Sequence, residues 1–291
     1  MYSLIFDAIG TRWQIDIASA ISEGKKHALE EIIGDRIERF DKTYSRFRRD
    51  SYLWKMSLEK GRYKLPRDAA PMFSLYYDLF RLTDGYFTPL IGQVLADAGY
   101  DDVYSLKEKG LARPLSWDEV LSYRSGQLVL KQPVLLDFGA AGKGYLIDIV
   151  GEILEKNGVS SYCVDAGGDI RVRSDKDEIL RVGLENPFDL REVIGVANIG
   201  NKSICGSAGN RRRWGQYHHI MDPFSLSSVA DISAVWVIAE TTILADALST
   251  CLFFVPPEKL LKHYVYEYII MYRDYSVRRS EGFQGELFLK N

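Results

Sequence analysis

Cysteine is scarce in this chain: Cys163, Cys205 and Cys251 are the only three in 291 residues, far apart and without a CxxC pair. That argues against a disulfide framework and a structural zinc site, and it suits buried thiols in a reducing compartment. Histidine is nearly as sparse, four residues with no HxxxH or HExxH spacing, which argues against a zinc hydrolase. No GxSxG nucleophile elbow occurs. Excess positive charge is missing too. Thirty-seven Lys and Arg face 40 Asp and Glu, a formal charge of -3, so no global field exists to hold nucleic acid or an anionic membrane. Nor is there a long apolar run. Asp7, Arg12 and Asp16 interrupt the start, leaving no export signal in this form; the expected compartment is the cytoplasm as written, or the periplasm or exterior if the sequence is a trimmed mature form. Residues 229–255 are broken by Asp231, Glu240 and Asp246, so no membrane span is expected.

What is present has a globular composition, 46% apolar, 12% aromatic and 26% charged. Residues 2–18 predict two β-segments joined at Gly10-Thr11, and Leu29, Ile32, Ile33, Ile37 and Phe40 predict a helix over 25–44. A basic loop, Ser45-Arg46-Phe47-Arg48-Arg49-Asp50-Ser51, follows, and Pro71 opens a second helix that Gly85 stops. Residues 100–132 carry no clear signal. An apolar segment at 134–138 runs into Gly139, Gly142 and Gly144, then a helix ending at Gly158, then a β-segment over 162–172; this reads as a strand, glycine turn, helix, strand unit. Further β-like runs fall at 180–184, 193–198, 218–221 and 233–239, with a core helix over 241–254 and a last strand over 264–272. Without repeats or linkers, the expectation is one α+β domain spanning 1–291, a mixed or antiparallel sheet with packed helices.

Several groups could carry chemistry. Asp246 and Thr250, four apart on one helix face, can share a hard cation such as Mg²⁺; the alternative is a Thr bonded to its own helix carbonyl and an Asp on a wet face. The segment from Gly139 to Gly144 can cradle a phosphate beside Lys143, or serve as a structural turn; it is not a Walker A loop, since Gly144 stands where Ser or Thr is needed. His218 and His219 are adjacent, so on extended backbone only one of them enters a given site. Arg211-Arg212-Arg213 forms either an anion or partner patch or a solvated loop.

Seven segments in order resemble the ApbE family of FAD:protein FMN transferases: AIGT (8–11), SRFRRDS (45–51), TDGYF (83–87), LDFGAAGKGYLID (136–148), DAGGDI (165–170), HHIMDP (218–223) and ADALSTCLFFV (245–255). The resemblance implies that FAD is bound as substrate with Mg²⁺, its pyrophosphate is split, and FMN is joined through a phosphoester to a Thr or Ser hydroxyl of an acceptor redox protein, releasing AMP. By position it implies that Asp246, Thr250 and the Ala140 carbonyl hold Mg²⁺ and that Asp137 and Lys143 contact FAD. Ile9, Phe47, Tyr86, Phe87, Thr88 and Ile220 would line the flavin or adenine pocket. His219 would take the hydroxyl proton, while Lys143 and the turn's backbone donors would offset phosphoryl charge. The chain departs from the family pattern at Thr88-Pro89-Leu90, Ser207-Ala208-Gly209 and Ser225-Leu226. Two other functions stay open: an FAD-binding protein without transfer, and an Mg²⁺-dependent FAD pyrophosphatase giving FMN and AMP.

Overall fold

Ile9 (φ 43°) and Gly10 (φ 76°) turn the strand Tyr2–Ala8 back onto Thr11–Ile17. Two successive left-handed residues make the primed turn whose twist matches a hairpin, which is why Gly10 is needed here. In this computed structural model, which describes residues 2–288, that hairpin begins an eight-stranded sheet. Its order continues Tyr162–Ala166, Asp169–Arg173, Ser203–Ala208, Ile232–Ala239, Tyr266–Tyr272 and Val277–Arg279. Every strand pair among the described residues is antiparallel.

The sheet's two faces have different coverings because side chains alternate along a strand. Val235, Val237 and Ala239 point into the main core with the helices Glu23–Tyr44, Gly142–Lys156 and Thr242–Cys251. Ile238 points the other way, into a second core closed by a small sheet of Gly285–Leu287, Val193–Ile199 and Leu180–Glu185. A third cluster, with Leu95, Tyr100, Trp214 and Met221, stands beside the main core. The α+β class with antiparallel sheets and packed helices is therefore what the structure has.

Several local expectations need correction. Residues 134–138 form no strand. Asp137 N–H donates to Pro89 O at 2.7 Å and Val134 N–H to Met56 O at 3.3 Å, so the segment is tied to a short helical turn and a helix end rather than to a neighbouring strand. Residues 162–172 are two paired strands, folded at Gly167 (φ 64°) and Gly168 (φ 96°). The 218–221 run is reduced to Tyr217–His218, paired with Arg213–Trp214. The last core helix is Thr242–Cys251, and Tyr266–Tyr272 is followed by two more strands. Within the stretch 100–132 lie the helix Trp117–Val120 and the strands Leu121–Arg124 and Gln127–Leu130; Gly61–Lys64 completes their sheet. Among the described residues no helix is long and apolar enough to cross a membrane.

Candidate functional site

One cleft of about 1150 Å³ is lined by residues from all three clusters, and the twelve residues that the resemblance assigns to the site all line it. Its floor is set by two helices. Gly144, in the first turn of Gly142–Lys156, has no room for a side chain, since a Cβ there would lie 2.4 Å from Thr242 O and 2.7 Å from Asp246 Cβ. This close approach lets the Gly144 N–H donate to Asp246 Oδ2 at 2.8 Å. One turn on, Asp148 accepts from the N–H groups of Thr242 (2.9 Å) and Ile243 (2.8 Å), capping the helix that carries Asp246 and Thr250. Arg171 pairs with the same carboxylate. We expect Gly144→Ala to cost about 1–3 kcal/mol through overpacking; urea denaturation checks this, and an unchanged midpoint would contradict the contact.

Asp246 does not sit on a wet face. It is 6% exposed, and burial pushes its carboxyl up to about 6, against the opposing pull of Lys143 and the Gly144 N–H. The bond back to the Asp246 carbonyl comes from Ser249 Oγ, at 2.8 Å, which leaves Thr250 at the cleft wall. Among the described residues no group of three or more His, Cys, Asp or Glu is placed to share a metal. A cation at Asp246 would therefore hold one carboxylate, with hydroxyl, carbonyl, water or ligand oxygens completing its shell, a set that suits Mg²⁺ with phosphates.

The glycine-rich turn is mostly a packing device. Gly139 N–H donates to Asp137 Oδ1 at 2.6 Å, Ala141 and Gly142 N–H both donate to Phe138 O, and Gly144 N–H is taken by Asp246. Those four donors are spent inside the chain, so positive charge for an anion comes chiefly from side chains. Lys143 pairs with the buried Asp169, whose other oxygen accepts from Gly206 N–H at 3.1 Å. Burial lowers the Lys143 ammonium from its usual range, and Asp246 acts in the opposite direction. Arg212 and Arg213 line the cleft without a salt bridge among the described residues, whereas Arg211 pairs with Glu185 at 2.6 Å.

The two histidines part as their adjacency predicts. His218 is pinned, Nε2 to Val229 O at 2.9 Å and Nδ1 accepting from Ile220 N–H at 3.3 Å. His219 lines the cleft; its Nδ1 is buried without a partner, and burial, reinforced by Arg212, holds its pKa down at about 3.

Other cleft residues escaped the sequence. Tyr100, Tyr104 and Trp214 supply an aromatic wall with Phe47: Phe47 and Tyr104 stack at 5.4 Å between centroids, and Tyr100 and Trp214 at 5.2 Å. Tyr104 holds φ 51° in a turn fastened by Asp101, which accepts from Ser105 N–H at 2.8 Å. The tyrosines fall in the stretch without periodicity, so only their aromatic identity could have marked them. Arg46 and Asp137 form an ion pair across 91 residues, and Asp169 joins Lys143, pairings that no local pattern encodes. Seven buried side-chain polar atoms lack a hydrogen-bond partner among the described residues, and those of Tyr44, Arg46, Tyr76, Asn210 and His219 belong to the cleft lining. Stranded donors and acceptors are costly, so their concentration here marks a place shaped for a polar ligand.

A helix-flanked antiparallel sheet with such a cleft defines a ligand-binding α+β protein, and solved structures share the frame. The ApbE protein of Thermotoga maritima, whose crystal structure is known, matches with a TM-score of 0.81 at 22% identity, over 96% of this chain and 97% of that one. The sequence is 24% identical over 268 residues to the FAD:protein FMN transferase of Vibrio cholerae, covering 86% of this chain and 80% of the relative. It is 25% identical over 276 residues to that of Escherichia coli, covering 86% and 77%. The ApbE family model matches residues 9–269, and the chain belongs to the ApbE family.

Proposed function

We propose that this chain is a flavin transferase that moves FMN from FAD to a Thr or Ser hydroxyl of an acceptor redox protein, releasing AMP, with residues 1–291 as one domain. The observation that carries the proposal is the buried, cleft-facing carboxylate of Asp246 beside Thr250, on a helix locked to the Lys143 turn. The relatives named above as FAD:protein FMN transferases support it.

Asp246, Thr250 and the Ala140 carbonyl, all on the cleft lining, would hold Mg²⁺, since a buried carboxylate whose pKa burial raises would gain from a cation beside it. Such an ion supplies charge neutralisation at the phosphoryl oxygens. Among the described residues Arg212 is unpaired and adds positive charge on the cleft wall, beside Lys143, whose charge Asp169 already partners. Ile9, Phe47, Tyr86, Phe87, Thr88 and Ile220 would give the rings a mostly apolar lining, of which Phe87, Thr88 and Ile220 are buried. Asp137, with Lys143, is the FAD contact on the glycine-turn side.

The acceptor oxygen forms a bond to the FMN-side phosphorus as the bond to the AMP phosphate breaks, and the hydroxyl proton must leave. His219 is the acceptor for that proton. It is neutral above about pH 3 and its Nδ1 is unpaired, and a nearby pyrophosphate raises its basicity by placing negative charge beside it. We expect His219→Ala to keep FAD binding while transfer slows by about 10²-fold, within the range for a positioned base; an unaltered transfer rate would remove the histidine from this role.

Incubation with FAD, Mg²⁺ and a candidate acceptor tests the whole proposal, with covalent flavin fluorescence followed in denaturing gels and AMP measured alongside. Both signals together are expected. AMP alone would make the protein a pyrophosphatase, and neither signal would make it a flavin-binding protein.

A further inference from the structure

Arg46 is 3% exposed, yet it lines the cleft. Its Nε is paired with Asp137 Oδ2, its Nη1 donates to Tyr100 O at 2.7 Å, and its Nη2 is buried without a partner among the described residues. Aromatic faces hold the guanidinium: its central carbon lies 4.1 Å from the Phe47 ring centroid and 4.9 Å from that of Tyr100. A planar fork fixed on two of its three nitrogens has no freedom to turn the third toward water. A buried donor left in that state loses its hydration without compensation, a cost that a ligand's acceptor atom removes.

The chemistry of that acceptor follows from the surroundings. Asp137 already neutralises the Arg46 charge, so a phosphate gains little here compared with the unpaired Arg212 and Arg213. The neighbours are aromatic, with Phe47 stacked parallel to Tyr104 within 6°. Flat apolar faces beside a neutralised donor suit the edge of a planar heterocycle, whose carbonyl oxygens and ring nitrogens accept in the ring plane. Each Asp137 oxygen already accepts one bond, Oδ1 from Gly139 N–H and Oδ2 from Arg46, so the free donor of this pair is Nη2, and Asp137 itself meets a ligand only through its remaining lone pairs.

We infer that Arg46 is a specificity-determining residue whose Nη2 donates to a neutral acceptor on one of the two ring systems of the flavin dinucleotide, with Asp137 holding it in place. This rests on the cleft being the FAD site proposed above. It adds that ring recognition is separate from phosphate recognition.

The test compares the wild-type chain with Arg46→Lys, which keeps a cation for Asp137 and lacks the forked donor. Dissociation constants are measured by calorimetry for FAD, riboflavin, AMP and inorganic pyrophosphate, each with Mg²⁺. In Arg46→Lys, FAD affinity should fall about tenfold or more, as for loss of a charge-assisted hydrogen bond. Either riboflavin or AMP should weaken by the same factor, identifying the ring, and pyrophosphate should bind as before. Unchanged FAD affinity, or an equal loss for pyrophosphate, overturns the inference. If the wild-type protein itself fails to bind FAD, the proposed function fails first and is told apart by that result. Should the variant not fold, a crystal of the wild-type protein with FAD decides: Nη2 within hydrogen-bond distance of a ring oxygen or nitrogen supports the inference, and Nη2 on a phosphate or on no ligand atom overturns it.

Discussion

Asp246→Asn should abolish metal-dependent turnover, a loss of about 10³-fold or more, while making the metal-free protein more stable at pH 8. The first effect follows from the several kcal/mol of transition-state charge stabilisation that a bound cation supplies. The second follows from the sign of the pKa shift. Burial raises the Asp246 carboxyl from 3.8 to about 6 on folding, so the folded protein holds the proton more tightly than the unfolded chain. The resulting stability is fully present below about pH 4 and is lost as pH rises through about 6. Above that, an ionised Asp246 without a cation weighs against the fold, and Asn removes the charge; Lys143 retains Asp169 as its partner. Thermal melts from pH 4 to 8 in a chelator, then with excess Mg²⁺, check this. The variant's advantage should close toward pH 4, and Mg²⁺ should stabilise only the wild type. A variant that melts lower at pH 8 in chelator, or that still turns over, would contradict the assignment.

Asp148→Ala should cost about 3 kcal/mol or more, the scale for breaking a buried ion pair from one side. Asp148 and Arg171 are both buried, and the same carboxylate takes the Thr242 and Ile243 N–H groups. Its loss leaves a guanidinium short of a partner and two helix donors unsatisfied, at the start of the helix that carries Asp246 and Thr250. Denaturant unfolding measures the stability, and FAD-dependent AMP release per folded molecule measures how far the site has moved. A cost below about 1 kcal/mol would show that Glu155, the other Arg171 partner, suffices.

The helix Glu23–Tyr44 was legible because Leu29, Ile33, Ile37 and Phe40 repeat at helical spacing and all are buried. The hairpin was legible from Gly10, a residue at ease with positive φ, but its turn is Ile9-Gly10 rather than the expected Gly10-Thr11, since Thr11 already pairs with Ala8. By contrast, apolar character alone made residues 134–138 resemble a strand. A strand needs a partner strand with free backbone groups, and the chain places a helix end and a short helical turn there instead. Strand Ser203–Ala208 was missed because Cys205, Gly206 and Ser207 lack β-forming side chains; its place between Asp169–Arg173 and Ile232–Ala239 comes from pairing on both sides. The helix Tyr52–Leu58 was hidden by its shortness, though Ser51 caps it through Trp54 N–H at 2.9 Å.

The α+β class and the family were readable from residue type and order along the chain, and the twelve residues that the resemblance assigned to the site all lie on the lining of one cleft. Tertiary structure alone decided that the glycine turn spends its donors internally, that Asp246 is buried, and that His219 rather than His218 reaches the cleft. It also decided which carboxylate meets which cation, Asp137 with Arg46, Asp169 with Lys143 and Asp148 with Arg171. The reason is physical. Spacing governs what neighbours on one helix or strand can share, whereas desolvation and ion pairing depend on groups brought together from distant segments, and they exist only once the chain has closed around them.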